Sequence, residues 1–376
     1  MTRYHFELAV PDDDAALRRL MAETPMPGDV TLAFEREPNF FDGNQVLGRE
    51  CQTIVCRDLS CGRIVCIATR SSRMVYVGGK QTRIGYLGGL RFAPRVRGSG
   101  LLARGFQFLR QLHDADPKRP KYYLTTIAST NANAKRVLTS GRANLPNYHR
   151  IGTLNTFALA THRLSRSRLG GQSSASCDLS IIRLSDLPSM EPWLTFLDEM
   201  ARRRTFFPVY DHEDFHPSTG TFRGLAPADI IVVLRDNEIV ATAGAWNQSA
   251  FRQTVVRNYR PAIRMARPLS NLWAKVSGQV VLPRIGNPLA AAYVSLLAVR
   301  GDDRHLMVTT LIELAKRCDA PMLLLGRCDG DPLLSSCWRL SRLRYETELY
   351  AVNWGPISNL PKNQTGHPFY LELGCL

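Results

Sequence analysis

The residues with the clearest chemical potential lie between Phe92 and Ala103. Phe92, Ala93, Pro94, Arg95, Val96, Arg97, Gly98, Ser99 and Gly100 close an apolar segment (83–92) that is punctuated by glycines. Leu101, Leu102, Ala103, Phe106, Phe108 and Leu109 follow at roughly helical spacing. The pattern predicts a strand, a short glycine turn and a helix. At such a junction the unpaired N–H groups of the first helical turn can point at an anion. Gly98 and Gly100 lack a Cβ, so an anion can approach the backbone. Arg97 adds a fixed positive charge. The chemistry expected of this stretch is capture of a phosphate-bearing ligand; a plain strand–turn–helix connection is the alternative.

A second constellation follows. Residues 121–127 read as a strand, and Asn131, Ala134, Val137 and Leu138 as a short helix. Ser129 or Thr130 can cap its start, Asn131 can serve as a second capping residue, and Gly141 suits its end. Together the two constellations resemble the GNAT superfamily of acyl-CoA-dependent N-acyltransferases. The family's loop pattern (apolar residue, any residue, Pro, two residues, Arg-Gly-x-Gly) stands here as Phe92 to Gly100. Its second element (Asn, two residues, Ala, two residues, apolar residues) stands as Asn131 to Leu138. The resemblance implies an α/β fold of the α+β mixed-sheet kind, with acetyl-CoA or another acyl-CoA as co-substrate and no metal. It implies that the backbone of Arg97, Gly98, Ser99, Gly100, Leu101, Leu102 and Ala103 holds the pyrophosphate. Leu90, Phe92 and Asn131 would hold the pantetheine arm. Two positions depart from the family. Leu102 stands where Gly or Ala is usual, and Leu138 where a Tyr often protonates the leaving thiolate.

Acyl transfer to an amine requires a base for the amine and an acid for the thiolate. Glu35 and Glu37 flank Arg36 just before Phe40 and Phe41. In an apolar wall such a carboxylate has its pKa raised into a useful range; on the surface it is a Glu–Arg cluster over two core phenylalanines. Tyr148 follows the second constellation and is the candidate acid, or else a packing tyrosine in a loop. No Ser–His–Asp or Cys–His arrangement is visible.

The elements that must position these residues recur along the chain. A strand near 4–10 and a helix near 12–23 are matched by a strand at 179–184 and a helix starting at Ser185 and Asp186. A hairpin at 52–70 is matched by one at 229–244, turning at Asp236 and Asn237. The strand before the glycine loop is matched by 293–299. There Arg304 parallels Arg97, but His305 and Met307 replace the loop glycines, and Asp302 and Asp303 oppose a pyrophosphate. The chain therefore reads as two tandem GNAT-like acyltransferase domains. Residues 1–162 form the acyl-CoA-binding catalytic copy and 163–177 a linker. Residues 178–376 form a copy degenerate at its cofactor loop, with an Arg-rich insert at 251–288.

Composition sets the remaining bounds. The chain has 376 residues, a net charge of +15 and only seven lysines. Its longest apolar run, 289–299, is too short to span a bilayer, and the first residues do not form a signal peptide. A cytoplasmic protein without membrane contact is expected. Cys51, Cys56, Cys61 and Cys66 recur every fifth residue. Strand alternation puts Cys51 and Cys56 on opposite faces, which argues against a zinc site. The insert carries Arg252, Arg257, Arg260, Arg264 and Arg267 with Tyr259 and Trp273. It reads as solvated arginines or as a dock for an acidic carrier partner; nucleic acid is unlikely, since no recognition motif is present. The expected activity is an acyl-CoA-dependent N-acyltransferase, foremost an N-acetyltransferase, acting on a small-molecule or peptide amine by direct attack. A transferase using a carrier-protein- or tRNA-bound donor, and a non-catalytic CoA-binding tandem module, are the alternatives.

Overall fold

The structure is a computed structural model that describes residues 3–96, 100–142, 145–167, 179–341, 343–355, 360–361 and 366–376. Its framework is one twelve-stranded mixed sheet. The first half contributes β1 (Tyr4–Leu8), β3 (Glu50–Asp58), β4 (Arg63–Val77), β5 (Lys80–Phe92), β6 (Tyr123–Ala128) and β7 (Asn147–Ala160). The second contributes β8 (Leu179–Arg183), β9 (Ile230–Arg235), β10 (Glu238–Trp246), β12 (Ala292–Val299), β13 (Met322–Cys328) and β14 (Arg344–Asn353). A separate two-stranded sheet joins the halves through β2 (Val30–Glu35) and β11 (Gln253–Tyr259).

The strand order is β1-β3-β4-β5-β6-β14-β7-β13-β12-β10-β9-β8. The halves have exchanged their last strands: β14 pairs with β6 and β7 of the first half, and β7 pairs with β13 of the second. Exchange buries Leu154, Phe157 and Leu349 to Val352 at the centre, where each half would otherwise present an unpaired edge.

Helices cover both faces in matching positions. On one face α1 (Asp14–Glu23) packs Leu17, Leu20 and Met21 on Val55 and Ile67, and α5 (Glu191–Arg202) packs Trp193, Phe196 and Leu197 on Ile230 and Val232. On the other lie α2 (Leu101–Ala115) and α3 (Ala132–Leu138) of the first half. Their counterparts α7 (Arg304–Lys316) and α8 (Leu334–Leu340) cover the second, with α4 (Thr161–Ser165) beside α7. The last helix, α6 (Pro261–Ser277), lies in the insert.

Several expectations hold. The 52–70 hairpin turns between β3 and β4, with Cys56 facing Cys66 across the pair. Asp236 and Asn237 both take positive φ, as a tight two-residue hairpin turn requires. The second opening helix starts later than Ser185 and Asp186 predict. Asp186 accepts from the Arg183 N–H and closes a single 3-10 turn at Leu184–Asp186. Pro188 then holds Leu187 extended (ψ 140°), so α5 begins only at Glu191. Of the expected linker, 163–165 end α4, and 168–178 lie outside the described residues.

Candidate functional site

β5 and β6 run parallel, but they pair only at Gly85 with Tyr123 and Tyr86 with Leu124. Beyond Tyr86 they splay, and Leu87 to Phe92 are all left half-buried. Thr125 Oγ1 donates to the Leu87 carbonyl at 2.8 Å, and the Tyr86 and Thr126 hydroxyls meet at 2.8 Å at the apex. A bulge against β4 interrupts β5 between Gly88 and Arg91, with Gly89 at φ +65°. The paired glycines inside an apolar strand were the sequence signal for this bulge.

The cleft leads to the start of α2. Gly100 takes φ +74° at the N-cap, and among the described residues no side chain caps the helix. Among the described residues no capping side chain therefore meets the first-turn N–H groups of Leu101, Leu102 and Ala103. Leu101 is buried, and Leu102 packs among Leu90, Phe92 and Phe108. Arg97, Gly98 and Ser99 lie outside the described residues. Asn131 is the N-cap of α3, its Oδ1 accepting from Ala134 N–H at 3.1 Å. That corrects the expectation that Ser129 or Thr130 caps the helix.

The second half has the same frame, closed. β12 and β13 pair only at Ala292 with Leu323 and Tyr293 with Leu324, then splay. Here Val294 to Val299 are all buried. His305 and Met307 sit in the first turn of α7, not in a loop, because Asp303 caps that helix. The Asp303 carboxylate accepts from His305 N–H at 2.8 Å and Leu306 N–H at 3.1 Å, filling the position an anion would need. The equivalent bulge is at Leu296, which takes φ +58°, a strained conformation for a leucine. Its N–H donates to Glu372 at 2.9 Å. Tyr370, stacked on Phe207 at 4.1 Å, and the buried Arg327–Asp331 pair occupy the splay, leaving a cavity of about 40 Å³. Thus the second half supplies one carboxylate at its helix start and another at its bulge, whereas among the described residues no side chain caps the start of α2.

Glu372 escaped sequence reasoning. It sits in a short apolar run, Phe369 to Leu373, with no motif around it. The segment is fastened by Gln248 and Arg252, which donate to the Gly374 carbonyl at 2.7 and 2.9 Å. Glu372 is buried and also accepts from the Tyr370 hydroxyl at 2.7 Å. Burial holds its carboxyl above the ordinary range, against the opposing pull of those hydrogen bonds. With Ser72, Tyr86 and Leu124 it lines a second cavity of about 40 Å³ behind the apex of the open cleft. A polar cavity of about 230 Å³ shares Ser72 and Arg73 with it and reaches Glu50, Asp211 and Asp214.

The other candidates are placed as follows. Glu35 accepts from Arg257, and Glu37 from Arg18 at 2.5 Å. Phe40 is buried and meets Phe41 edge-on at 5.6 Å. Arg36 is turned inward and donates to the Gly43 carbonyl, so it pairs with neither neighbouring glutamate. The segment still borders the cleft, since Phe34 lies beneath Arg91, 6.0 Å away. Tyr148 lies on β7 rather than in a loop, packed edge-on against Phe106 and Tyr350. It shares the cluster of Leu90, Phe92, Leu101 and Leu138, and burial pushes its phenol up. The structure thus gathers Leu90, Phe92, Leu101, Leu102 and Tyr148 at one cleft and leaves Glu35 and Glu37 at its rim. Among the described residues no group of three His, Cys, Asp or Glu side chains is placed to hold a metal.

No family profile matches the chain, and no curated protein matches it in sequence. Solved structures do match in shape. A GCN5-related N-acetyltransferase from Sphaerobacter thermophilus aligns with TM-score 0.51 at 13% identity, over 96% of this chain and 99% of that one. Saccharomyces cerevisiae N-myristoyltransferase with bound myristoyl-CoA aligns with TM-score 0.57 at 12% identity, over 99% of this chain and 90% of that one. Open cleft, closed cleft and continuous sheet together give this chain the duplicated GNAT fold of those N-acyltransferases.

Proposed function

We propose that the protein is an acyl-CoA-dependent N-acyltransferase with one working donor site, in the first half. The observation that carries this reading is the contrast between the two clefts. At α7 a carboxylate of the chain satisfies the helix start; at α2, among the described residues, none does, beside a half-buried splayed strand. The residues fit the pyrophosphate and pantetheine arm of a coenzyme A thioester, which supplies an already activated acyl group. The fold likeness to acyl-CoA N-acyltransferases supports the same reading.

Within this reading the splayed backbone of Leu87 to Phe92 orients the donor, and orientation provides much of the rate. Glu372 takes a proton from the acceptor's ammonium, so that the neutral amine attacks the thioester carbonyl, and the amine reaches it through the cavity that shares Ser72 and Arg73. Glu35 and Glu37, each engaged by an arginine, are better suited to shaping the rim. The small cavity at the apex supports a short acyl group, acetyl foremost. Tyr148 keeps its proton and can give it to the departing thiolate. Tyr148→Phe is then expected to slow turnover about tenfold or more without loosening acetyl-CoA; unchanged turnover would return Tyr148 to a packing role.

Calorimetric titration with acetyl-CoA and with desulfo-coenzyme A tests the donor site. Micromolar binding of both is expected. No binding of either transfers the weight to a carrier-bound donor or a non-catalytic role.

A further inference from the structure

The insert does not present its arginines as the sequence suggests. Arg252 is turned inward onto Gly374. Arg257 and Arg260 pair with Glu35 and Asp29. Arg267 donates to the Leu282 carbonyl at 3.2 Å. What the insert presents instead is apolar. Helix α6 opens with Pro261 at its first position and closes at Gly278, which takes φ +66°. Ile263, Arg267, Asn271 and Ala274 fall on one face. Ala274 is buried, and Asn271 exchanges two hydrogen bonds of 2.9 Å with the Leu282 backbone. That face is held against the protein.

The opposite face carries Met265, Leu269, Leu272, Trp273 and Val276, at i, i+4, i+7, i+8 and i+11. These side chains are 64–81% exposed. The amphipathicity is therefore inverted: the apolar stripe points straight away from the body along three turns. No acidic residue occurs between Glu238 and Asp302. Arg264 and Lys275 flank the stripe and, among the described residues, pair with no carboxylate. At the C-terminal end of α6, Val276 and Gly278 border a cavity of about 410 Å³ with His162, Arg163, Arg166 and Arg339 in its wall and, among the described residues, no acidic one.

We propose that α6 is an interfacial helix that lays its apolar stripe into an anionic lipid surface. The observation is an outward Met–Leu–Leu–Trp–Val stripe flanked by Arg264 and Lys275, with Arg163, Arg166 and Arg339 near its C-terminal end; the stripe calls for an apolar phase and these cations for negative headgroups. An acidic carrier protein fits less well, because Arg252, Arg257, Arg260 and Arg267 are already engaged and what α6 turns outward is an apolar stripe. A helix lying in the interface is compatible with the absence, among the described residues, of any helix able to cross a membrane.

The test is flotation of the full-length protein with vesicles of phosphatidylcholine alone and of phosphatidylcholine mixed with phosphatidylglycerol. Binding to the anionic vesicles only is expected, weakened by salt. The double variant Leu269→Asp, Trp273→Asp is expected to lose roughly 100-fold in partitioning while keeping its melting temperature. Arg166→Gln with Arg339→Gln is expected to lose about tenfold. Absence of vesicle binding by the natural protein overturns the proposal. So does a dimer that the same Asp substitutions dissociate without any vesicle binding, which would make a second copy the occupant. Capture of an acidic carrier protein in place of vesicles overturns it as well. Acyl transfer enters none of these readouts, so failure here and failure of the donor site remain distinguishable.

Discussion

Gly100→Asp is expected to abolish acyl-CoA binding in a protein that still folds. A Cβ at Gly100 meets nothing within 4 Å, so no neighbour has to move. The positive φ is one that Asp and Asn adopt more readily than other side chains. The new carboxylate would stand at the α2 start, as Asp303 stands at the start of α7. Two like charges about 4 Å apart at a protein surface repel by roughly 1–4 kcal/mol. Coenzyme A carries several phosphate charges, so a loss of roughly 100-fold or more is expected. Gly100→Asn is the matched control: the same backbone demand and side-chain size, without charge. Calorimetry should find Asn near the natural affinity and Asp without measurable binding. Equal affinities for the two variants would remove α2 from the donor site.

The second large effect is expected at Glu372. As a base it works ionised, so turnover rises with pH as its proton leaves. Burial raises that titration, so the acid limb of kcat/KM should lie above the ordinary carboxylate range of about 4.3. Glu372→Gln should lower kcat/KM about 100-fold or more and erase the limb. Stability separates chemistry from packing. A carboxyl raised in the folded state contributes stability that is present below its unfolded pKa and lost as pH rises through the folded one. The neutral Gln variant escapes that loss and can still accept a hydrogen bond from Tyr370 or Leu296. Its thermal midpoint at neutral pH should match or exceed that of the natural protein. A midpoint lowered in step with the rate would assign Glu372 to holding Leu296 in place.

Much of this arrangement was legible before any tertiary contact was known. The Asn131 helix, the hairpins and the copy spoiled by Asp303 are all local patterns, and local hydrogen bonds enforce them. Other features carried no local signal. The positions of Glu35 and Glu37 looked catalytic because acids beside aromatics suggest a raised pKa. What pairs with them, Arg257 and Arg18, is distant in sequence or a helix away. Glu372 looked like an isolated acid near the chain's last residues. It matters only because its segment folds back between the halves.

The same division holds for the fold as a whole. By itself the sequence determined two copies of one strand–helix pattern, and which copy carries a carboxylate at the start of its helix, because capping and turn chemistry act over a few residues. Only the tertiary structure decided that β7 and β14 change places, since an alternating strand pairs equally well with either neighbour until the whole sheet is assembled. It alone decided which face of α6 turns outward. Periodicity marks two faces of a helix, but packing against Leu282 and its neighbours selects the one that is buried.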